Sequence, residues 1–286
     1  MLRRTPRRIL HGVGRFVGAP VRFQCRRDRT CARAVEQIHN PLVRQTSAVT
    51  ALLVPQPFDS SILGGPVFRL AAGADLPAAL ASPEFATAHL VVARIATDAA
   101  TEAARLEAAG FRAIERLLTF ELDLAAALPN WPADVRLAKP ADHAVCATIG
   151  RTAFCFDRYH ADTRLDPAIG DRIKEAWVLN DLTGRADACL VAVADGTVVG
   201  FNLCLLAGDI ATIDLVAVAA GHQGRGIGRR LTEAGARHYA GHARSYRAGT
   251  QANNAASVAL YRRLGFRVAA EAMTYHWMPD NMRARI

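Results

Sequence analysis

The sequence predicts a mixed α/β (α+β) protein built as two related folds in tandem, each a central mixed sheet flanked by helices, with the N-terminal copy degenerate. Two observations predict this. The second half alternates strand-like and helix-like runs in the order β-α-α-β-β-β-α-β-α-β. An internal repeat then ties the halves together: Leu106-Glu-Ala-Ala-Gly-Phe-Arg112 resembles Tyr261-Arg-Arg-Leu-Gly-Phe-Arg267 at an offset of 155 residues, and Thr119-Phe120 falls on Thr274-Tyr275. A strand and an alanine-rich helix precede both copies. The length of 286 residues suits two domains. The reading divides the chain into a basic tail at 1–34, a degenerate lobe at 35–128 and a second, chemistry-bearing domain at 133–286.

Taken in order, Pro55, Pro57, Gly64, Gly65 and Pro66 mark a turn-rich patch before an apolar run from Val67 to Ala72. Asp75 is a cap for a helix from Leu76 to Phe85. His89 to Ile95 is a strand, 98–109 a helix closed by Gly110 as a C-cap, and Ala113 to Leu124 a strand. Pro129 to Pro132 read as a linker. In the second half, Val135 to Ala138 is a short strand, and Pro140 to Ala153 and Ala168 to Asn180 are helices. Asp195-Gly196 turns a hairpin between Ala188–Ala194 and Val198–Leu206. A strand from Ile210 to Val218, a helix from Ile227 to Tyr239, a strand from Tyr246 to Gln251, a helix from Ala255 to Leu264 and a strand from Arg267 to Met278 complete the chain.

Composition narrows the class. Hydrophobic residues make up 51% of the chain, enough for a sizeable core, yet the most apolar stretch, 188–220, is broken by Asp195, Asn202, Asp209 and Asp214. That excludes a membrane span, which needs about 20 apolar residues. The net charge of +9 is confined to residues 1–44, which hold eleven arginines against Asp28 and Glu36. The body is neutral, so the basicity sits in the tail. The tail reads by default as a disordered or over-extended terminus; contact with RNA, an anionic membrane surface or an acidic partner is the lesser reading. Six cysteines, at 25, 31, 146, 155, 189 and 204, form no C-x-x-C pair and have no histidine cluster beside them. They indicate no metal site and a reducing, cytoplasmic setting.

The sharpest chemical signal is Val216-Ala-Val-Ala-Ala-Gly-His-Gln-Gly-Arg-Gly-Ile-Gly-Arg-Arg-Leu231, in which a strand enters a glycine-rich turn and the turn opens a helix. Backbone N–H groups at such a turn converge at the positive end of the helix dipole, a geometry that holds phosphate. The glycine spacing fits neither the dinucleotide fingerprint nor the P-loop. Gln223-Gly-Arg-Gly-Ile-Gly228 does match the Q/R-x-x-G-x-G/A motif of the GNAT acetyltransferase superfamily, and Asn254-Ala-Ala-Ser-Val-Ala-Leu-Tyr-Arg-Arg-Leu-Gly-Phe266 resembles that superfamily's N…LY…GF signature. The resemblance covers roughly Val135 to Met278.

It implies acetyl-CoA as co-substrate, bound in a V-shaped opening between Ile210–Val218 and Tyr246–Gln251. The cofactor-binding residues it implies are Val216, Ala217, Val218, Gln223, Gly224, Arg225, Gly226, Ile227, Gly228, Arg229 and Asn254. Asn254 also suits the N-cap of its helix. Tyr261 takes the place of the general acid that protonates the departing thiolate. For the base, His222, Asp214, His160 and an ordered-water path all stay open. The first half lacks the glycine motif and carries Leu106 where Tyr261 stands, which leaves it the role of shaping the acceptor cleft or mediating assembly.

Two further stretches resemble the dTDP-fucosamine acetyltransferases. Phe156-Asp-Arg-Tyr-His-Ala-Asp162 with Ala176-Trp-Val-Leu-Asn180 is similar to their S-R-F-H-x-D…W-I-x-N pattern, and Phe58-Asp-Ser-Ser-Ile-Leu-Gly-Gly-Pro-Val-Phe-Arg69 to their W-D-S-x-F-F-G-x-P. Asp157, Tyr159, Phe58, Ile62 and Leu63 depart from the pattern. Arg158, His160 and Asp162 are the implied acceptor contacts, and Trp177 fits the core better than a substrate platform. The expected partner is a small-molecule amine, foremost a nucleotide-linked amino sugar, with a homodimer compatible. The alternatives are a protein N-terminal or peptide acetyltransferase, a small-molecule amine acetyltransferase and a CoA-binding sensor without activity.

Overall fold

The strand and helix runs of the sequence are realised in a computed structural model that describes residues 51–125 and 129–280. The basic tail at 1–34, with Cys25 and Cys31, lies outside the described residues. The first half contributes β1 (Leu53–Pro55), α1 (Pro57–Leu63), β2 (Val67–Leu70), α2 (Leu76–Leu80), α3 (Pro83–Thr87), β3 (Leu90–Ala96), α4 (Ala100–Ala108) and β4 (Arg112–Asp123). The second contributes β5 (Val135–Leu137), α5 (His143–Ala153), α6 (Arg158–Ala161), α7 (Pro167–Asn180), β6 (Ala188–Ala194), β7 (Thr197–Ala207), β8 (Ile210–Val218), α8 (Ile227–Tyr239), β9 (Ser245–Gln251), α9 (Ala255–Arg263) and β10 (Arg267–Trp277). Among the described residues no helix is long and apolar enough to cross a membrane.

Three local differences from the sequence reading have physical causes. The helix expected from Leu76 to Phe85 is two helices. Ser82 is extended, its hydroxyl accepts a hydrogen bond from the Phe85 N–H, and Pro83 opens the second helix at a position where its missing N–H costs nothing. The turn-rich patch at Pro55 to Pro66 contains the one-turn-and-more helix α1, closed by Gly64 at φ 75°. The stretch from Arg158 to Ala161, read only as a motif, is a single helical turn capped by Asp157.

All ten strands join in one sheet of order β1-β2-β3-β10-β4-β9-β8-β7-β6-β5. The two halves exchange their last strands within it. β10, from the second half, lies between β3 and β4 of the first, and β4 pairs with β9 of the second. β4 and β10 run antiparallel, and Leu117 faces Ala272, the residue 155 positions on. Arg116 and Glu271, also 155 apart, form an ion pair beside it. Residues 155 positions apart therefore meet each other at the centre of the sheet. Residues 51–125 and 133–280 thus interlock in space.

The core follows this exchange. Phe120 of β4 packs on Tyr261 of α9 at 5.4 Å between ring centroids, and Tyr261 on Phe266 at the same separation. On the other side Val67, Leu90 and Val92 of the first half bury against Tyr159, Ile169 and Ile173 of the second. α8 lies close to the sheet because Gly235 has no side chain. A Cβ there would stand 2.1 Å from the Tyr246 hydroxyl, which the Asn202 amide meets at 2.9 Å.

Candidate active site

The strand-to-helix turn forms because the sequence places glycines where the backbone must turn left-handed. Gly224 and Gly226 have φ of 75° and 73°, and Gly226 caps α8. Only glycine adopts these angles without strain. No atom lies within 4 Å of where a Gly224 Cβ would stand, so the turn is open to an approaching anion. Gln223 donates its side-chain amide to the Val218 carbonyl at 3.0 Å and closes the loop. Ile227 is buried and anchors the helix start, while Arg225 and Arg229 are exposed. Arg229 pairs with Glu233 at 2.7 Å; Arg230 turns to Asp134 at 2.9 Å.

β8 and β9 pair in parallel only from Ile210–Ser245 to Ile213–Ala248. Beyond that point they splay. On its other side β8 stays paired with β7 as far as Val218, so the edge of β8 from Leu215 to Val218 faces β9 beyond the last pair of that ladder. Val216, Ala217 and Val218 lie on this edge, and they, Gln223, Gly224, Gly226, Ile227, Gly228 and Arg229 line a continuous cleft of about 3000 Å³. That is larger than a pocket for one drug-sized ligand. A β-bulge at Asp214, between the pairs Leu203–Leu215 and Cys204–Ile213, bends β8 where the splay begins.

Tyr261 and Asn254 of the second motif also line the cleft. Tyr261 is 2% exposed, and its hydroxyl makes no hydrogen bond with a described residue. Burial raises its pKa, so the hydroxyl stays protonated and available as a donor at neutral pH. Asn254 is the N-cap of α9, accepting from the Ser257 N–H at 3.2 Å.

Of the implied acceptor contacts, Arg158 alone lines the cleft. It donates to Asp59 at 3.2 Å and to the Tyr159 hydroxyl at 2.8 Å, and that hydroxyl donates to Asp59 at 2.6 Å. The two acceptor motifs, from opposite halves, thus meet at Asp59. His160 and Asp162, expected as acceptor contacts, do not line the cleft. His160 is held between Asp157 at 2.7 Å and Asp171 at 3.2 Å, over Gly170. Asp162 is buried and binds Arg164 at 2.7 Å and His276 at 2.9 Å. Both are held by neighbouring side chains, and Asp157, the partner of His160, itself lines the cleft. Of the proposed bases, Asp214 is buried and held by the Trp177 indole at 2.7 Å and the Arg185 guanidinium at 2.5 Å, which fixes it as a carboxylate partner. His160 drops out with its two partners. His222, on the turn after β8, lines the cleft.

Sequence reasoning missed a row of polar residues crossing four strands. Arg94 on β3 donates to Thr274 on β10 at 3.2 Å, Thr274 to Glu115 on β4 at 3.3 Å, and Gln251 on β9 to Glu115 at 3.0 Å. The signal existed as charged residues inside apolar strands, but the exchange that aligns them was not legible. Among the described residues no group of three His, Cys, Asp or Glu side chains is placed to hold a metal ion.

Comparison with known proteins bears on this geometry. Residues 154–266 match the family described as the Acetyltransferase (GNAT) family. The chain is 31% identical over 147 residues to the spore coat polysaccharide biosynthesis protein SpsD of Bacillus subtilis (strain 168), a stretch covering 49% of each chain. It is 32% identical over 200 residues to a mycothiol acetyltransferase of Mycobacterium sp. (strain MCS), covering 66% of this chain and 65% of that one. The matched stretch thus spans between about half and two thirds of the length of these relatives. A GCN5-related N-acetyltransferase from Kribbella flavida has the same fold, with a TM-score of 0.56 at 18% identity over 86% of this chain and 95% of that one. The matched segment, which resembles the GNAT acetyltransferase family, contains the glycine turn, the splayed strands and Tyr261.

Proposed function

We propose that the chain is an acetyl-CoA-dependent N-acetyltransferase, an acyltransferase acting on a primary amine, and that the amine belongs to a nucleotide-linked amino sugar. The observation that carries the reading is the splay of β8 from β9 beyond Ile213 and Ala248, with the glycine turn at its mouth and Tyr261 in its wall. Acetyl-CoA supplies the acetyl group as a thioester. The turn amides of 223–228 hold its pyrophosphate at the N-terminus of α8. The edge of β8 beyond its ladder with β9 offers N–H groups to the pantetheine arm, and one near Val216 polarises the reacting carbonyl. The hydroxyl of Tyr261 gives its proton to the departing sulfur, and the acceptor nitrogen loses one as it becomes an amide. His222 or water takes that second proton.

The acceptor reading rests on the two motifs that meet at Asp59 and on the printed role of SpsD in polysaccharide synthesis. The first half, as a degenerate copy of the fold, forms the far wall of the cleft through Asp59, Arg69 and Arg94. Free-thiol release from acetyl-CoA tests this against dTDP- and UDP-linked amino sugars, free amino sugars, aminoglycosides and N-terminal peptides. Turnover confined to nucleotide amino sugars is the expected result. Turnover confined to peptides would replace the acceptor reading.

A further inference from the structure

The far end of the cleft concentrates guanidinium groups in a way that the transfer of an acetyl group does not require. Arg69 on β2, Arg94 on β3 and Arg158 on α6 all line it. Arg69 pairs with Val92 in the ladder, and Arg94 follows Val92 by two residues, so both arginines stand on one face of the sheet. Arg158 reaches the same place from the second half. These three cations face two carboxylates, Asp59 and Glu115. Arg158 binds Asp59 at 3.2 Å, and Arg94 lies 3.7 Å from Glu115. Arg69 has no ion-pair or hydrogen-bond partner among the described residues. The Nε of Arg158 is fully buried and makes no hydrogen bond.

An uncompensated positive charge and an orphaned buried donor are costly unless a ligand completes them. We infer that this end of the cleft is an anion-binding subsite for the acceptor, in which Arg69, Arg94 and Arg158 hold a phosphate or carboxylate group of the amine substrate. The subsite deepens the acetyltransferase reading and rests on it. The polar row then has a purpose. It runs from Arg94 through Thr274 and Glu115 to Gln251, which ends β9 three residues beyond its last pair with β8. An acceptor anchored on the arginines lies along this row with its other end toward the splay. The electrostatics agree: burial, and then the charge of Arg158, push Arg94 down to about 10, where it still carries its proton at neutral pH. An anion there relieves both effects.

The test compares amine acceptors with and without an anionic group, at saturating acetyl-CoA: glucosamine, glucosamine 1-phosphate, a nucleoside-diphosphate amino sugar, and aspartate as the carboxylate case. The expected result is a kcat/KM at least tenfold higher for an anionic acceptor than for glucosamine, and the phosphate and carboxylate arms identify which anion is used. Arg69→Gln, which orphans no carboxylate, raises KM for that acceptor at least tenfold without a matching rise for acetyl-CoA. Arg94→Gln does the same if it folds. Equal use of neutral and anionic amines, or an Arg69→Gln enzyme with unaltered KM, overturns the inference and leaves the acetyltransferase reading standing. Absence of thiol release with every amine overturns the reading instead. The subsite is then judged by calorimetric binding of inorganic pyrophosphate to protein saturated with CoA: binding lost in Arg69→Gln supports it, and no binding overturns it.

Discussion

Replacing Tyr261 with Phe separates its packing from the proton transfer proposed for it. Its ring packs between Phe120 and Phe266 with centroids 5.4 Å away, and it is 2% exposed. Its hydroxyl bonds to no described residue. The substitution keeps the ring contacts and removes no hydrogen bond, so stability should change by about 1 kcal/mol or less. Loss of a general acid lowers kcat by about 10² to 10⁴, or about 2.7–5.4 kcal/mol of transition-state stabilisation. Burial holds the hydroxyl protonated well above neutrality, so the loss should be the same at every pH between about 6 and 9. Steady-state thiol release at varied acetyl-CoA, with a urea melt of the same preparation, reads both effects. The variant should melt with the parent, keep its KM for acetyl-CoA and lose turnover. Unchanged kcat would remove Tyr261 from proton transfer, and a melt shifted in proportion to the lost activity would make it a packing residue alone.

Three further outcomes follow from the fold. Gly235→Ala places a methyl 2.1 Å from the Tyr246 hydroxyl and should cost about 1–3 kcal/mol by denaturant titration, since that hydroxyl is itself held by Asn202. His160→Ala should lower stability by about 1–3 kcal/mol through the loss of its bonds to Asp157 and Asp171 while leaving the KM for both substrates unchanged; a rise in acceptor KM in a folded variant would return His160 to the site. Asp181 is pushed above the ordinary carboxylate range, by burial first and then by the charge of Asp214. The native state therefore holds a proton that the unfolded chain has released, and this group makes stability fall as pH rises above that ordinary range. Asp181→Asn should flatten the urea midpoint across that window, and an unaltered slope would refute the assignment.

The second half was largely legible because its signals are local. Asp195-Gly196 marks a hairpin turn, Ile227–Tyr239 is an amphipathic helix bounded by the glycine turn, and the strand after Phe266 follows a glycine C-cap. The cofactor loop and Tyr261 came with those signals. What could not be read was non-local. Nothing near Arg94 or Glu115 in sequence says that Thr274 will lie between them. Nothing near His160 or Asp162 says that Asp171 and His276 will claim them, because those partners are supplied by packing. The repeat at an offset of 155 relates β4 to β10, but pairing preferences along the two strands do not say which half each will complete.

That exchange sets an order on how the chain can mature during synthesis. β3 and β4 do not touch each other in the finished sheet; β10 fills the space between them. The gap opens when β4 leaves the ribosome and closes only when its counterpart about 155 residues later arrives, roughly 8–30 s at ordinary elongation rates. Through that interval two strand edges stand without partners, and each invites pairing with whatever strand comes near. A nascent chain whose β10 is late, missing or weakened has another copy of itself as the ready donor. Lesions in the last strand should therefore surface as chains that trade strands with one another, and aggregation during translation is where their damage would first be seen.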